Sequence, residues 1–256
     1  VADVDPAQNA GAQYFVEGHY VTHDDARAGN GLNNASWREV AIPADFENDE
    51  PTEIGATAQA EPAIFAWQDN VPGVELVSVD YQETHDVPAS SQSDPGATFT
   101  LTARFWVGVN VTDVGNGFWE YEYAIFNLNS DRSAGWVNIP VGSSATVTDI
   151  GFHDVDYHSE EPWDPTDWTG AKQGNGVFFT NGTTFAQNPS ANALRWSTLY
   201  NFRFRTNQAP ASGQLLIGLF KPDDSANPPA AVSASITTPG GLVSDIIPLR
   251  AFLVSA

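Results

Sequence analysis

The sequence predicts an all-β protein, an antiparallel β-sandwich of jelly-roll-like character with long acidic loops. Three observations predict it. No stretch sustains the i, i+3, i+4, i+7 apolar period of a helix. Apolar and aromatic residues instead alternate at period 2 over many segments. Clusters of Gly, Pro, Asn and Asp separate those segments, as in sandwiches and jelly rolls.

Taken in order, residues 13–22 are rich in aromatics and valine and predict a first strand. Residues 35–40 and 191–193 are the best helix candidates, each about one turn long. Residues 43–62 are acidic and predict an inserted loop of the Ω type, too polar for a core strand. Residues 63–68, after Pro62, predict a short strand. In 74–84, Val77, Val79 and Tyr81 share one face. In 97–112, Phe99, Leu101, Ala103, Phe105, Val107 and Val109 do the same over a long strand. Asn116-Gly117 is a strong hairpin signal and leads into 118–129. There Glu120, Glu122, Ala124 and Phe126 share a face, and Trp119, Tyr121, Tyr123 and Ile125 share the other. Further strands are predicted at 135–140, 146–158, 176–180, 183–187, 194–206, 214–220, 232–237 and 246–254, with a connector at 222–230. The whole chain, 1–256, fits one sandwich domain, with 1–22 as an N-terminal arm or exchanged strand.

Charge narrows the function classes. There are 32 acidic residues against 10 basic, a net charge of −22. Phosphate neutralisation needs basic groups, so nucleic acid is excluded as a partner. Anionic membrane surfaces are repelled, and no apolar run reaches the ~20 residues of a span. Cations, Ca²⁺ foremost, remain compatible. The chain has neither Cys nor Met, so disulfides, thiolate chemistry and Cys–zinc sites are absent. The start at Val1 is read as removal of a signal peptide, and the expected location is extracellular, at the cell surface.

The densest chemistry lies in residues 151–170. His153, Asp154, Asp156, His158, Glu160, Glu161, Asp164 and Asp167 crowd this segment. On a strand, Asp154, Asp156 and His158 point to one face and form a row for a cation, which Glu160 and Asp164 can close from the loop. Oxygen ligands favour Ca²⁺, and imidazole shifts preference toward Zn²⁺, Mn²⁺ or Fe²⁺. The competing expectation is a metal-free hydrogen-bond network that orders the loop. Trp163 and Trp168 are candidate stacking surfaces for a glycan. No nucleophile elbow, P-loop or dinucleotide fingerprint occurs, and no catalytic residue is assigned. His19, His23 and His85 sit beside acidic or turn residues and are expected in turn networks. Trp106, Trp119, Trp136 and Trp196 are expected in the core. Arg132 is expected to pair with a neighbouring carboxylate.

The runs 118–133, 151–170 and 188–204, with Gly-Leu-Phe-Lys-Pro at 218–222, resemble a group of secreted all-β proteins of marine and planctomycete-type bacteria. The resemblance covers roughly residues 75–235. It implies export and an all-β fold, and carries no assigned activity. Within it, Arg195 is expected to anchor a carboxylate such as Glu120 or Glu122, because a buried Glu needs a partner.

These features predict a non-enzymatic extracellular structural protein that self-assembles into a surface layer, filament or tube. Strand donation by the N-terminal segment, with Tyr14, Phe15 and Val16 in the contact, is the expected mechanism. A homo-oligomer or polymer is the expected partner state. The alternatives are a secreted carbohydrate- or metal-binding module and a secreted hydrolase.

Overall fold

Period-2 alternation carries through to the backbone. The structure, a computed structural model, describes residues 4–20, 22–45, 48–87, 95–155, 161–225 and 227–240. Strands take 52% of the residues and helices 5%. The elements are β1 (Tyr14–His19), α1 (His23–Arg27), β2 (Ala35–Ala41), β3 (Thr52–Gln59), α2 (Ile64–Asn70), β4 (Glu75–Asp86), β5 (Thr98–Gly115) and β6 (Phe118–Asn127). They continue with β7 (Ala134–Pro140), β8 (Val147–His153), β9 (Thr169–Gln173), β10 (Gly176–Thr180), β11 (Thr198–Thr206), β12 (Pro210–Leu219) and β13 (Ala231–Pro239).

Two antiparallel sheets, ordered β4-β5-β6-β11-β8 and β13-β12-β7-β10-β9, face each other. The β5–β6 hairpin forms where it is predicted. Asn116 and Gly117 both take positive φ, 56° and 75°, as the favoured hairpin turns require. The inner faces are aromatic and aliphatic. Phe105, Val107 and Val109 of β5, Tyr121, Tyr123 and Ile125 of β6, and Phe202 and Phe204 of β11 pack against Val137, Ile139, Val177, Phe179, Leu215 and Ile217 opposite. Each such burial stabilises by about 1.5–3 kcal/mol. The two buried tyrosines reach carbonyls at the rim: Tyr121 Oη donates to Gln208 O and Tyr123 Oη to Thr237 O, both at 3.0 Å.

A third sheet, β1-β2-β3, lies apart from these two. With α2 it covers one half of the outer face of β4-β5-β6-β11-β8. Ala35, Ile64, Ala124, Phe126 and Leu128 form a second buried cluster there, with Trp67, Leu76 and Trp106 packed against it. Gly108 is the floor of this contact, since a Cβ would meet the Trp67 ring at 2.9 Å.

Several local expectations are corrected. Residues 35–40 form strand β2, the central strand of the third sheet, which pairs with β1 on one side and β3 on the other. Residues 191–193 are not helical, and Leu194 makes a single bridge to Ala134. Residues 64–68 fall in helix α2, with Ala63 as its N-cap, and Ile64 and Ala66 are buried. The acidic segment 43–62 contains β3, which pairs with β2 and is solvent-exposed at nearly every residue. Residues 183–187 form a turn closed by Gln187, whose Oε1 accepts Thr184 N at 3.0 Å. Strand β9 has no apolar pattern to announce it. The strand expected at 246–254 lies outside the described residues.

Candidate functional site

The acidic segment begins as β8, which ends at His153, short of the expected His158. A row of Asp154, Asp156 and His158 on one strand face is therefore not formed within β8. Asp156, His158 and Glu160 lie outside the described residues. Asp154 is buried, at 8% exposure, and accepts a hydrogen bond from Asn192 Nδ2. Asn192 is the hub of this loop region. Its Nδ2 also donates to Thr166 O at 2.9 Å, and its Oδ1 accepts Tyr200 Oη at 2.6 Å. Its carbonyl accepts Trp168 Nε1 at 2.8 Å and Asn181 Nδ2 at 2.9 Å. Asp164 closes a turn, accepting Thr166 N at 2.9 Å and Thr166 Oγ1 at 2.6 Å, and those bonds hold its carboxyl below the usual range. Among the described residues no group of three metal-ligating side chains converges.

The expected stacking pair also takes other roles. Trp168 is buried and stacks on Phe152 at 5.6 Å. The Arg195 guanidinium lies 4.0 Å over the Trp163 ring. Arg195 does not reach Glu120 or Glu122, because it is held in the 188–195 loop by the carbonyls of Pro189 and Ala191, each at 2.9 Å. Arg132 likewise bonds carbonyls, those of Lys221 and Pro229 at 2.8 Å, in place of a carboxylate. Trp196 is 44% exposed and outside the core.

Two histidines join networks. His85 Nε2 lies 3.2 Å from Glu83, a fully buried carboxylate that also accepts Tyr81 Oη, Ser130 Oγ and Asp131 N. The bond to Glu83 raises the His85 pKa against the opposing effect of burial. This stabilisation is complete below the ordinary imidazole value of about 6.5 and fades as pH rises through the raised one. His19 Nδ1 contacts Ser197 Oγ, and Ser197 has a positive φ of 60°. An acyl-transfer centre needs N–H donors for the oxyanion. Here Ser197 N is donated to Asn127 O at 2.7 Å and Thr198 N to Arg195 O at 3.2 Å. The contact ties β1 to the residue just before β11.

The feature that sequence reasoning missed is a groove of about 510 Å³ on the open half of the same outer sheet face. Its wall is set by register. Arg205 of β11 lies opposite Glu120 of β6, and Arg203 opposite Glu122. Arg205 Nε donates to Glu120 at 2.7 Å, and Arg205 Nη1 lies 3.4 Å from Asp149. A bulge in β8 between its pairings with Arg203 and Arg205 holds Asp149 at φ 52° and turns it toward Arg205. Glu122 accepts Asn201 Nδ2 at 3.3 Å. Burial raises its pKa, opposed by the Arg203 charge and the Asn201 bond. Period 2 over Asn201, Arg203 and Arg205 was the available signal.

Fold and surface together define a charged antiparallel β-sandwich with one outer face half capped and half grooved. No protein-family model matches the chain, and no curated protein matches it.

Proposed function

We propose that this protein is an extracellular structural subunit that self-assembles by exchanging β1 between copies into a layer, filament or tube. The observation that carries the reading is the peripheral bonding of β1. It is an edge strand whose only sheet partner is β2, held elsewhere by side-chain contacts such as those of Glu17 with Ala63 N and of His19 with Ser197, and no residue of it belongs to a buried apolar cluster. Val16 on it is 52% exposed and Tyr20 just beyond is 75% exposed. Phe15 packs edge-on against Trp37 of β2 at 5.4 Å, a contact an exchanged strand would re-form. The whole register, from Tyr14↔Val40 to His19↔Ala35, can be remade between copies without new chemistry. Residues 20–34 would serve as the hinge.

A net charge of −22 opposes association, whereas main-chain hydrogen bonds are indifferent to it. Salt and divalent cations add to assembly by screening over a Debye length of roughly 8–10 Å. Sedimentation and electron microscopy of the intact chain should show oligomers that grow with concentration and salt. The chain lacking residues 1–22 should stay folded and monomeric. An intact chain that is monomeric under all these conditions overturns the reading, as does a truncated chain that assembles normally.

A further inference from the structure

In a chain with so few cations, each basic side chain is informative. Among the described residues, Arg38, Arg104, Arg205 and Lys221 pair with carboxylates. Arg132, Arg195 and Lys172 bond backbone carbonyls. Arg203 differs. It is exposed, it lines the groove, and its guanidinium has neither a hydrogen bond nor an ion pair to any described residue. Its stem lies on Gly151, where a Cβ would meet Arg203 Nε at 2.5 Å. The backbone of β8 is thus shaped to let that side chain lie along the groove.

The lining selects a ligand class by elimination. The net charge of −22 repels polyanions at long range. Three carboxylates beside two arginines leave the groove itself close to charge-balanced, so a fully charged ligand of either sign gains little from the lining. Phe204, whose side chain is fully buried, offers no apolar platform, so an apolar ligand gains little. What remains is a neutral ligand rich in groups that both donate and accept hydrogen bonds. Glu120, Glu122 and Asp149 accept from hydroxyls, and the Arg203 fork donates to hydroxyl or ring oxygens. We infer that this groove binds a neutral oligosaccharide chain laid across β6, β11 and β8, with Arg203 as the central donor. This site is separate from β1 and does not depend on assembly.

The test uses the full chain, with NMR titration and calorimetry as readouts. The probes are cellohexaose, xylohexaose and mannohexaose, with a galacturonic acid oligomer as the anionic comparison and a glucosamine oligomer as the cationic one. At least one neutral hexasaccharide should bind with a dissociation constant of about 1 mM or tighter, and shifts should concentrate on outward residues of β6, β8 and β11. Arg203→Ala should weaken binding by about tenfold or more with little change in thermal stability, because the exposed guanidinium makes no hydrogen bond or ion pair with a described residue and only a through-space interaction with Glu122. Gly151→Ala should weaken it too, by displacing that guanidinium. Absence of binding by all three neutral chains, preference for a charged chain, or affinity unchanged by Arg203→Ala overturns the inference.

Discussion

One strand, β6, presents two different surfaces along the same outer face. At its far end Ala124 and Phe126 are buried, at 3% and 4% exposure, under α2 and the start of β2. Nearer its start, Glu120 and Glu122 face an open groove with Arg203 and Arg205 across from them. Both halves belong to the same sheet and alternate with the same inner aromatics. The difference is the presence of a cover. A sheet face is apolar where another element sits on it and polar where water does. The N-terminal cap therefore acts as a partial third layer, and its boundary falls between Glu122 and Ala124.

The sharpest way to break this comparison is to truncate the covered half. Phe126→Ala should destabilise the protein by about 3–5 kcal/mol, read by chemical denaturation, whereas Glu120→Ala on the open half should leave the transition in place. Equal losses at both positions would mean that the cap covers less than its contacts indicate. A smaller effect is expected from Gly108→Ala, where the new Cβ meets the Trp67 ring at 2.9 Å. Overpacking there should cost about 1–3 kcal/mol, and thermal melts would detect it.

The smallest effect comes from the open half and depends on pH. Burial raises the Glu122 pKa, with Arg203 and Asn201 opposing and Glu120 and His153 as the remaining charged or titratable neighbours. A raised value means that the folded state holds its proton longer than the unfolded chain. Stability from this group is present below the ordinary carboxylate value and is lost as pH climbs through the raised one. Glu122→Gln should therefore gain stability relative to the parent at pH 7 compared with pH 4. Melting temperatures of both proteins at the two pH values check this, and an offset independent of pH would refute it.

The sandwich was legible because its strands bury one face each. Alternation identified β4, β5, β6, β7, β10, β12 and β13 and the Asn116-Gly117 hairpin. In the cap the aromatic and valine content of residues 13–22 gave β1, but the remaining elements were missed. Helix α2 is seven residues of mixed apolar character, too short to show a helical period, and β3 has almost no buried side to alternate with. The acidic segment was legible as a cluster, yet its organiser, Asn192, lies 38 positions from Asp154. Sequence proximity cannot reveal that contact. Glu120 is held by Arg205 and not by the expected Arg195, because which arginine reaches it depends on the β6–β11 register, a non-local property.

The longest strand carries a mechanical consequence. β5 is bonded to β4 over the whole length of β4 on one side, and to β6 through nearly all of that strand on the other. A tension applied along the strand axis would load these rungs in parallel, so they must shear together rather than open one at a time. A pull across the strands would instead peel them singly, at far lower force. The two sheets should thus be stiff along their strands and compliant across them, which makes the direction of load, more than its size, decide when the molecule yields.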